Sequence, residues 1–443
     1  MDLENLKVKK IKDISNLLEK GQLCPEELTH YYLDKIYRDS RSKDVFTNVL
    51  KKSALDSAKE SKKRAKVGLR KGVLDGIPIS VKDLADIEGE LTRGGSSLTN
   101  KKKAKKNAVF VDELQSRGVI ILGKTHMTEL AFSGLGLNTI TATPVNPFND
   151  ELVPGGSSSG SAVSVSRNYC VGSIGSDTGG SVIIPAAWNN LVGLKTTHKL
   201  IDLTGVLKLC PSFDTVGPIC KNVDDTHLLF QAMKKGKLQR LRKNKVSDFK
   251  FLIIKNMFFE SIDSEIDDSF NYAIERIIKK GATVEYKSIS EVDNALEISK
   301  IVFPAEAYGM WQYEIEKSPE KMFAPIRERF RSGQSILAHD YVFSLQKLFE
   351  FRKSFLKKVM GFDAILAPTS PIKPPRITQL MNNHELFTEK NLLALRNTRI
   401  ANSLNLCALT LPTETDFSGL MLMGYPNKEF DLMNIGLTIE KIM

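Results

Sequence analysis

Two clusters of serine and glycine lie close together in the middle of the chain. The first is PGGSSSGSAV, residues 154–163, and the second is GSDTGGS, residues 175–181. A serine hydroxyl becomes a nucleophile when a base removes its proton, and glycines let backbone N–H groups turn toward a developing oxyanion. Apolar segments flank both clusters, which is not typical of a flexible linker. The pattern favours a hydrolytic site over a linker or a phosphate-binding loop, since neither cluster contains a G-x-G-x-x-G turn that opens a helix.

A serine nucleophile needs a base, and the histidines do not provide an evident one. His126 and His198 are the nearest to the clusters in sequence, and a structural role is expected for each. Lys82 is the other candidate, because it lies in the apolar segment GIPISVKDL, and burial lowers the pKa of a lysine. A purely structural lysine, paired with Asp83 or another acid, is the competing interpretation and is favoured when this segment is considered alone.

Three motifs together resemble those of the amidase signature family. They are LDGIPISVKDL (74–84), PGGSSSGSAV and GSDTGGSVIIPAAWNNLVGLK (175–195), and the similarity is strongest over residues 70–235. The segments ILGKTHMTELAFSGLG and PSFDTVGPIC match the family on either side. The resemblance implies one α/β domain over residues 1–443, with a mixed β-sheet between layers of helices. It also implies a catalytic triad of Lys82, Ser157 and Ser181, with a cis peptide bond before Ser157.

The same resemblance implies roles for residues around the triad. The backbone at Thr178, Gly179 and Gly180 corresponds to the family's oxyanion hole, and neither a metal nor an organic cofactor is expected. The residues expected to bind substrate are Phe132, Ser133 and Ser158. For Phe132 and Ser133, a packing role stays equally open.

The chain departs from the family pattern beside the predicted nucleophile. Val182 and Ile183 stand where the family often has isoleucine and arginine, and that arginine usually pairs with the aspartate that matches Asp177. Asp177 therefore needs another partner. Thr196 also stands where proline is common.

The elements that must position these residues alternate between helix and strand. Residues 5–66 are predicted as helices, with Pro25 at a helix start. Residues 109–127 are predicted as a helix followed by a buried strand, and residues 162–177 repeat that order. Strand and helix patterns return after residue 249, which is typical of a layered α/β protein. Residues 290–360 are rich in helical patterns and are predicted to cap the substrate site.

Composition limits the choice of partner and compartment. The 443 residues carry a net charge of +11, from 63 Lys and Arg against 52 Asp and Glu. The lysines are spread along the chain, so we expect no nucleic-acid partner. Five scattered cysteines do not predict disulfides or a zinc site, and no apolar run is long enough to span a membrane. A cytoplasmic enzyme is expected, and a homodimer is left open.

Three functions stay open at this point. The leading one is a stand-alone amidase that releases ammonia or an amine from a small-molecule amide through an acyl-enzyme. The second is the glutaminase A subunit of a Glu-tRNA(Gln) or Asp-tRNA(Asn) amidotransferase. The segment SVIIP lacks the IRQP pattern typical of that subunit, and the chain looks short for it. The third is a binding protein without catalysis, although all three triad residues are present.

Overall fold

In the part of the chain that the structure describes, eleven strands form one mixed sheet. The computed structural model describes residues 3–99, 102–242 and 244–443, so Met1, Asp2, Asn100, Lys101 and Lys243 of the predicted domain lie outside the described residues. The strands are β1 (Phe46–Val49), β2 (Pro78–Lys82), β3 (Ile120–Thr125), β4 (Gly172–Asp177), β5 (Val192–Lys195), β6 (Thr215–Cys220), β7 (Lys250–Ile254), β8 (Thr283–Lys287), β9 (Ala364–Pro368), β10 (Cys407–Pro412) and β11 (Gly419–Gly424).

The order across the sheet is β1-β3-β2-β4-β6-β5-β10-β11-β9-β7-β8. Strands β3, β2 and β4 are parallel to one another, as are β9, β7 and β8 near the other edge. The strands from β4 through β6, β5, β10 and β11 to β9 pair antiparallel. Edge strand β1 pairs antiparallel with β3.

Helices cover the sheet on both faces. They are α1 (Ile11–Glu19), α2 (Pro25–Arg38), α3 (Lys51–Lys66), α4 (Val109–Ser116), α5 (Ser159–Ser166), α6 (Ile183–Ala187), α7 (Val223–Ala232), α8 (Ser264–Lys279), α9 (Ser290–Lys317), α10 (Ala324–Arg331), α11 (Ala338–Lys358), α12 (Ile377–Asn382), α13 (His384–Ala394), α14 (Arg396–Ser403) and α15 (Glu429–Ile439). Short 3-10 turns lie at Leu3–Val8, Ser40–Asp44, Glu129–Ala131, Val246–Asp248, Met257–Phe259, Pro319–Lys321 and Glu440–Ile442.

Alternating side chains divide the interior into two hydrophobic cores. On β7, Phe251 and Ile253 belong to one core, while Leu252 and Ile254 belong to the other. Successive residues of a strand point to opposite faces of its sheet, and β7, β9, β10 and β11 contribute residues to both cores. Helices α7, α8 and α15 pack into the first core, and α9, α11 and α13 pack into the second. The predicted fold, one mixed sheet between helical layers, is confirmed.

The first 66 residues differ from the prediction in one element. Helices α1, α2 and α3 are present, and α2 begins at Pro25 as expected. The segment Phe46–Val49 is a strand, so the prediction of helix throughout residues 5–66 was wrong there. Its four residues take their conformation from pairing with β3, far along the chain, and a segment this short carries no clear periodicity.

Candidate active site

Lys82 ends strand β2 and points away from the first hydrophobic core. Ile79 and Val81 pack into that core, so the alternation of the strand turns Lys82 to the opposite face. The side chain is 1% exposed. Its Nζ donates to Ser157 Oγ at 2.7 Å and to Ser176 Oγ at 2.8 Å. Burial holds the pKa of Lys82 well below its ordinary value, against the opposing charges of Asp177 and Asp214.

Asp83, the acid that could have paired with Lys82, is bound elsewhere. Lys124 Nζ lies 2.7 Å from Asp83 Oδ1, and both side chains are 1% exposed. A third buried lysine, Lys195, donates to the carbonyls of Thr196 and Leu406. Of these three lysines, Lys82 is the one whose Nζ contacts serine hydroxyls.

The first serine-glycine cluster brings Ser157 to Lys82 through a tightly packed turn. The Gly156–Ser157 peptide bond is cis, as the family resemblance implied. A Cβ added to Gly156 would lie 2.6 Å from the backbone nitrogen of Gly136, so the close approach of the two chain segments requires glycine. The carbonyl of Ser157 accepts a hydrogen bond from the amide of Thr128 at 3.1 Å.

The second cluster forms the turn after strand β4 and carries Ser181. The carbonyl of Ser181 accepts a hydrogen bond from the amide of Ser158 at 3.2 Å, which joins the two clusters. Ser181 lines a small cavity of about 20 Å³, which we call the inner cavity. Its other lining residues are Ala131, Phe132, Ser133, Thr178, Gly179, Leu209, Phe303, Arg329, Leu395 and Arg399.

Asp177 holds the Ser181 turn with Asn402 in the place of the missing arginine. Its Oδ1 accepts hydrogen bonds from the Gly180 amide and from Asn402 Nδ2, both at 2.9 Å. Its Oδ2 accepts from the Val182 amide at 2.7 Å. The carboxylate is therefore satisfied without an arginine.

Helix α14 presses directly on the turn that carries Ser181. Thr398 Oγ1 donates to the Gly179 carbonyl at 2.8 Å. Gly180 has a φ of +127°, and a Cβ there would lie 2.0 Å from Thr398 Oγ1. Both the backbone conformation and the contact require glycine at this position.

The three residues predicted to bind substrate fall into two groups. Phe132 and Ser133 line the inner cavity, although Ser133 Oγ also donates to Asn391 Oδ1 at 3.0 Å. Ser158 is fully buried, and its Oγ bonds to the carbonyl and the amide of Ser176 at 3.1 and 3.2 Å. The structure therefore gives Ser158 a role in holding the loop, outside the lining of the inner cavity.

Comparison with known proteins identifies the family. The family model described as Amidase matches residues 27–433. The chain belongs to the amidase family. It is 31% identical to a 2-amino-5-chloromuconic acid deaminase of Comamonas testosteroni, over 84% of this chain and 82% of that one. It is 29% identical to the A subunit of a glutamyl-tRNA(Gln) amidotransferase of Ruminiclostridium cellulolyticum, over 97% and 96%.

A solved amidase structure agrees with the fold. It is 24% identical and superposes with a TM-score of 0.88, over 98% of this chain and 99% of that one. Family membership and these relatives make the chain an amidohydrolase, as the motifs predicted.

Two segments match sequence motifs of other enzyme classes but do not have the structures that those motifs require. GVIILGKT (118–125) fits the P-loop pattern, but its Gly123, Lys124 and Thr125 lie within strand β3 rather than in a loop before a helix. GSSSG (156–160) fits the nucleophile elbow of α/β-hydrolases. Its central Ser158 is the buried residue bound to the backbone of Ser176, so it offers no exposed nucleophile.

The two histidines nearest the clusters also lie outside the inner cavity. His126 Nδ1 lies 3.2 Å from Thr141 Oγ1, and His198 Nε2 lies 2.7 Å from the Pro211 carbonyl. In the part of the chain that the structure describes, no three His, Cys, Asp or Glu side chains are grouped as metal ligands. Across residues 3–99, 102–242 and 244–443, no helix is long and apolar enough to cross a membrane.

Four residues that sequence reasoning missed contribute to this site. Ser176 is the second partner of Lys82, and its position one residue before Asp177 in the GSDTGGS motif was the available signal. Asn402, Arg329 and Arg399 come from helices α14 and α10, far along the chain. Nothing in the spacing of these three marks them, because only packing brings them to the Ser181 turn.

Proposed function

We propose that the chain hydrolyses a small carboxamide through Lys82, Ser157 and Ser181, with an acyl-enzyme on Ser181. The observation that carries this proposal is the 2.7 Å contact between Lys82 Nζ and Ser157 Oγ. A buried lysine with a lowered pKa meets a hydroxyl there instead of an acid. Such a lysine can serve as a general base near neutral pH.

In the proposed proton relay, Lys82 acts on Ser157, which it contacts, and Ser157 acts on Ser181. Neutral Lys82 has a lone pair that accepts the proton of Ser157, and Ser157 Oγ in turn accepts the proton of Ser181. Ser181 Oγ then attacks the amide carbonyl carbon. When the carbon–nitrogen bond breaks, Ser157 returns a proton to the leaving ammonia or amine. Water hydrolyses the ester on Ser181 through the same relay, which regenerates the three side chains.

Backbone amides of the Ser181 turn stabilise the oxyanion in this mechanism. The amide of Gly180 already donates to Asp177, so the proposal relies on those of Thr178, Gly179 and Ser181. Losing one such donor typically lowers a rate by about 10²- to 10³-fold. The mechanism draws on no metal or organic cofactor.

Two further expectations belong to this proposal. Residues 290–360 cap the substrate site, because Phe303 of α9 and Arg329 of α10 line the inner cavity. All five cysteines are free thiols, and four of them are buried. Free thiols are typical of reducing compartments, which supports a cytoplasmic location.

A glutaminase subunit of an amidotransferase is the second candidate. Its support is the near full-length similarity to such a subunit, which spans 96% of that chain. The length of the chain therefore does not argue against this function, although SVIIP still differs from the IRQP pattern. In this case, glutamine would be the amide, and partner subunits would complete the enzyme.

Ammonia release from a panel of small amides tests the proposal. The purified chain should hydrolyse at least one of them, and Ser181→Ala should abolish that release. Ser166→Ala, on the half-buried end of α5, is the matched control and should retain it. Release that survives in Ser181→Ala would contradict the proposal, and glutaminase activity confined to a complex with other subunits would favour the second candidate.

A further inference from the structure

Two guanidinium groups face the cavity of Ser181 without a carboxylate partner. Arg399 of α14 is 8% exposed, and its Nη2 is buried with no hydrogen-bond acceptor among the described residues. Arg329 of α10 donates through Nη1 to the Phe132 carbonyl at 2.7 Å, and its guanidinium lies 4.1 Å from the centre of the Phe132 ring. Both arginines line the inner cavity.

Burying the positive charges of Arg329 and Arg399 costs free energy. Burial, together with the charge of Arg399, lowers the pKa of Arg329 to about 9. Burial alone lowers the pKa of Arg399 to about 10. Both side chains stay cationic at neutral pH, and a buried cation is stabilised mainly by an anion beside it. Elsewhere in the chain, Arg64 has such an anion, because it binds both oxygens of Asp75.

Among the described residues that line the two cavities, no Asp or Glu forms an ion pair with Arg329 or Arg399. The inner cavity has no Asp or Glu among its lining residues. It shares Phe132, Phe303, Arg329 and Arg399 with an outer cavity of about 720 Å³. A space of that size is typical of small-molecule sites. Two acids, Glu328 and Glu385, line the outer cavity, but neither forms an ion pair with Arg329 or Arg399 among the described residues.

Arg399 is also fixed relative to the nucleophile. Its neighbour Thr398 donates to the carbonyl of Gly179, two residues before Ser181. The guanidinium lies 6.0 Å from the ring centre of Phe303, which stacks on Phe213 at 4.2 Å. The side chain is thus positioned by the helix that holds the Ser181 turn and by a rigid aromatic wall.

We infer that the substrate is an amide whose acyl part carries a carboxylate, which Arg399 and Arg329 bind while Ser181 attacks the amide carbonyl. This inference rests on the proposed function. If the leaving group is ammonia, the anion must belong to the acyl part. Guanidinium groups bind carboxylates through paired N–H donors, which fixes orientation as well as charge. The class of substrate is therefore the monoamide of a dicarboxylic acid.

Matched pairs of amides test the inference on the unmodified protein. Malonamate, succinamate and glutaramate are compared with propionamide, butyramide and pentanamide, in which a methyl group replaces the carboxylate. The best anionic amide should show a kcat/KM at least about tenfold above its neutral partner. Turnover of neutral amides with equal or higher kcat/KM would overturn the inference and leave the proposed function intact. Failure of every amide, with Ser181 unreactive toward a serine-directed probe, would overturn both.

Binding of dicarboxylates gives a readout that does not need turnover. Malonate, succinate and glutarate are tested for slowing the reaction of Ser181 with the probe and for raising the unfolding midpoint. At least one should do both at low ionic strength, where charge interactions are least screened. Pentanoate, with one carboxylate and an apolar end, serves for comparison. If no dicarboxylate protects the chain or raises its unfolding midpoint, the inference is wrong.

Variants of Arg399 separate charge recognition from general damage. Arg399→Gln should lower kcat/KM for the anionic amide by about 10- to 100-fold, the range for hydrogen bonds to charged groups. It should change kcat/KM for the neutral amide by less than about threefold. Arg399→Lys should restore part of the loss. Arg396→Gln is the matched control on α14, because its guanidinium donates outward to the carbonyls of Phe258 and Glu260. Equal losses on both amides in Arg399→Gln would contradict the inference.

Discussion

The proposed triad is held by strand β2 and two turns of the sheet region, whereas several walls of the inner cavity come from helices. In the sheet region, residues 74–220, Lys82 and Ser157 are fixed by a strand end and by a turn packed against neighbouring backbone. In the helical region, residues 290–403, Phe303, Arg329 and Arg399 come from three separate helices and meet only at the cavity. The sheet region holds the residues of the proposed triad, and the helical region holds residues that line the inner cavity.

Replacement of Lys82, the proposed base, is expected to have the largest effect of the variants on the sheet side. Lys82→Met keeps the length of the side chain but has no proton acceptor for Ser157. The kcat should fall by about 10²- to 10⁴-fold, the usual worth of general base catalysis. The measurement is steady-state ammonia release, with circular dichroism to show that the variant is folded. Loss of activity through unfolding would favour a structural role for Lys82.

The pH dependence of activity and stability should carry the signature of the same lysine. The value of kcat/KM should rise with pH through an apparent pKa below about 10.4, the ordinary value for lysine. The pKa of Lys82 is lowered in the folded chain and ordinary in the unfolded chain. Between these two pKa values the unfolded chain binds more protons than the folded chain, so the wild type gains stability as pH rises. The slope is about 1.4 kcal/mol per pH unit for one group.

Lys82→Met has no amine that must stay unprotonated in the folded chain, so it should be more stable than the wild type near neutral pH. Its advantage over the wild type should shrink as pH rises toward the ordinary lysine value. Denaturant unfolding at several pH values measures the difference. A constant gap between the two proteins across this range would contradict a lowered pKa for Lys82.

Two asparagines of the helical region should affect different kinetic constants, because one supports the Ser181 turn and the other supports the cavity wall. Asn402 Nδ2 holds Asp177 under the Ser181 turn, whereas Asn391 Oδ1 holds Ser133 and Gly134 in the cavity wall. Asn402→Ala should lower kcat by about 10- to 100-fold with little change in KM, since a lost hydrogen bond to a charged group costs about 1.5–3 kcal/mol. Asn391→Ala should mainly raise KM. A raised KM in Asn402→Ala together with a lowered kcat in Asn391→Ala would contradict these two assignments.

The smallest expected effect concerns the choice between two related amides. Glutaramate is glutamine without its α-amino group, and an α-ammonium would enter a cavity lined by Arg329 and Arg399 with no acid among its lining residues. We expect a severalfold preference for glutaramate in kcat/KM, larger at low ionic strength because the repulsion is screened by salt. A preference for glutamine would favour the amidotransferase function.

The sequence predicted the sheet side of this molecule better than the helical side, for physical reasons. Strand β2 and the two turns carry short motifs that are recognisable in the sequence, and the glycine at Gly180 is required in part by its own φ of +127°. The strand at Phe46–Val49 was missed because its partner lies far along the chain. Arg399 and Asn402 carry no local signal, since their roles depend on how helix α14 packs against the Ser181 turn.

Labelling of Ser181 by a fluorophosphonate, followed by intact-protein and peptide mass spectrometry, tests whether Ser181 is the nucleophile. We expect one adduct per chain, on the peptide that contains Ser181, and none in Ser181→Ala. Labelling should also slow strongly in Lys82→Met, because the hydroxyl then loses its base. Full labelling of Ser181→Ala, or an adduct on another serine of the two clusters, would contradict the account.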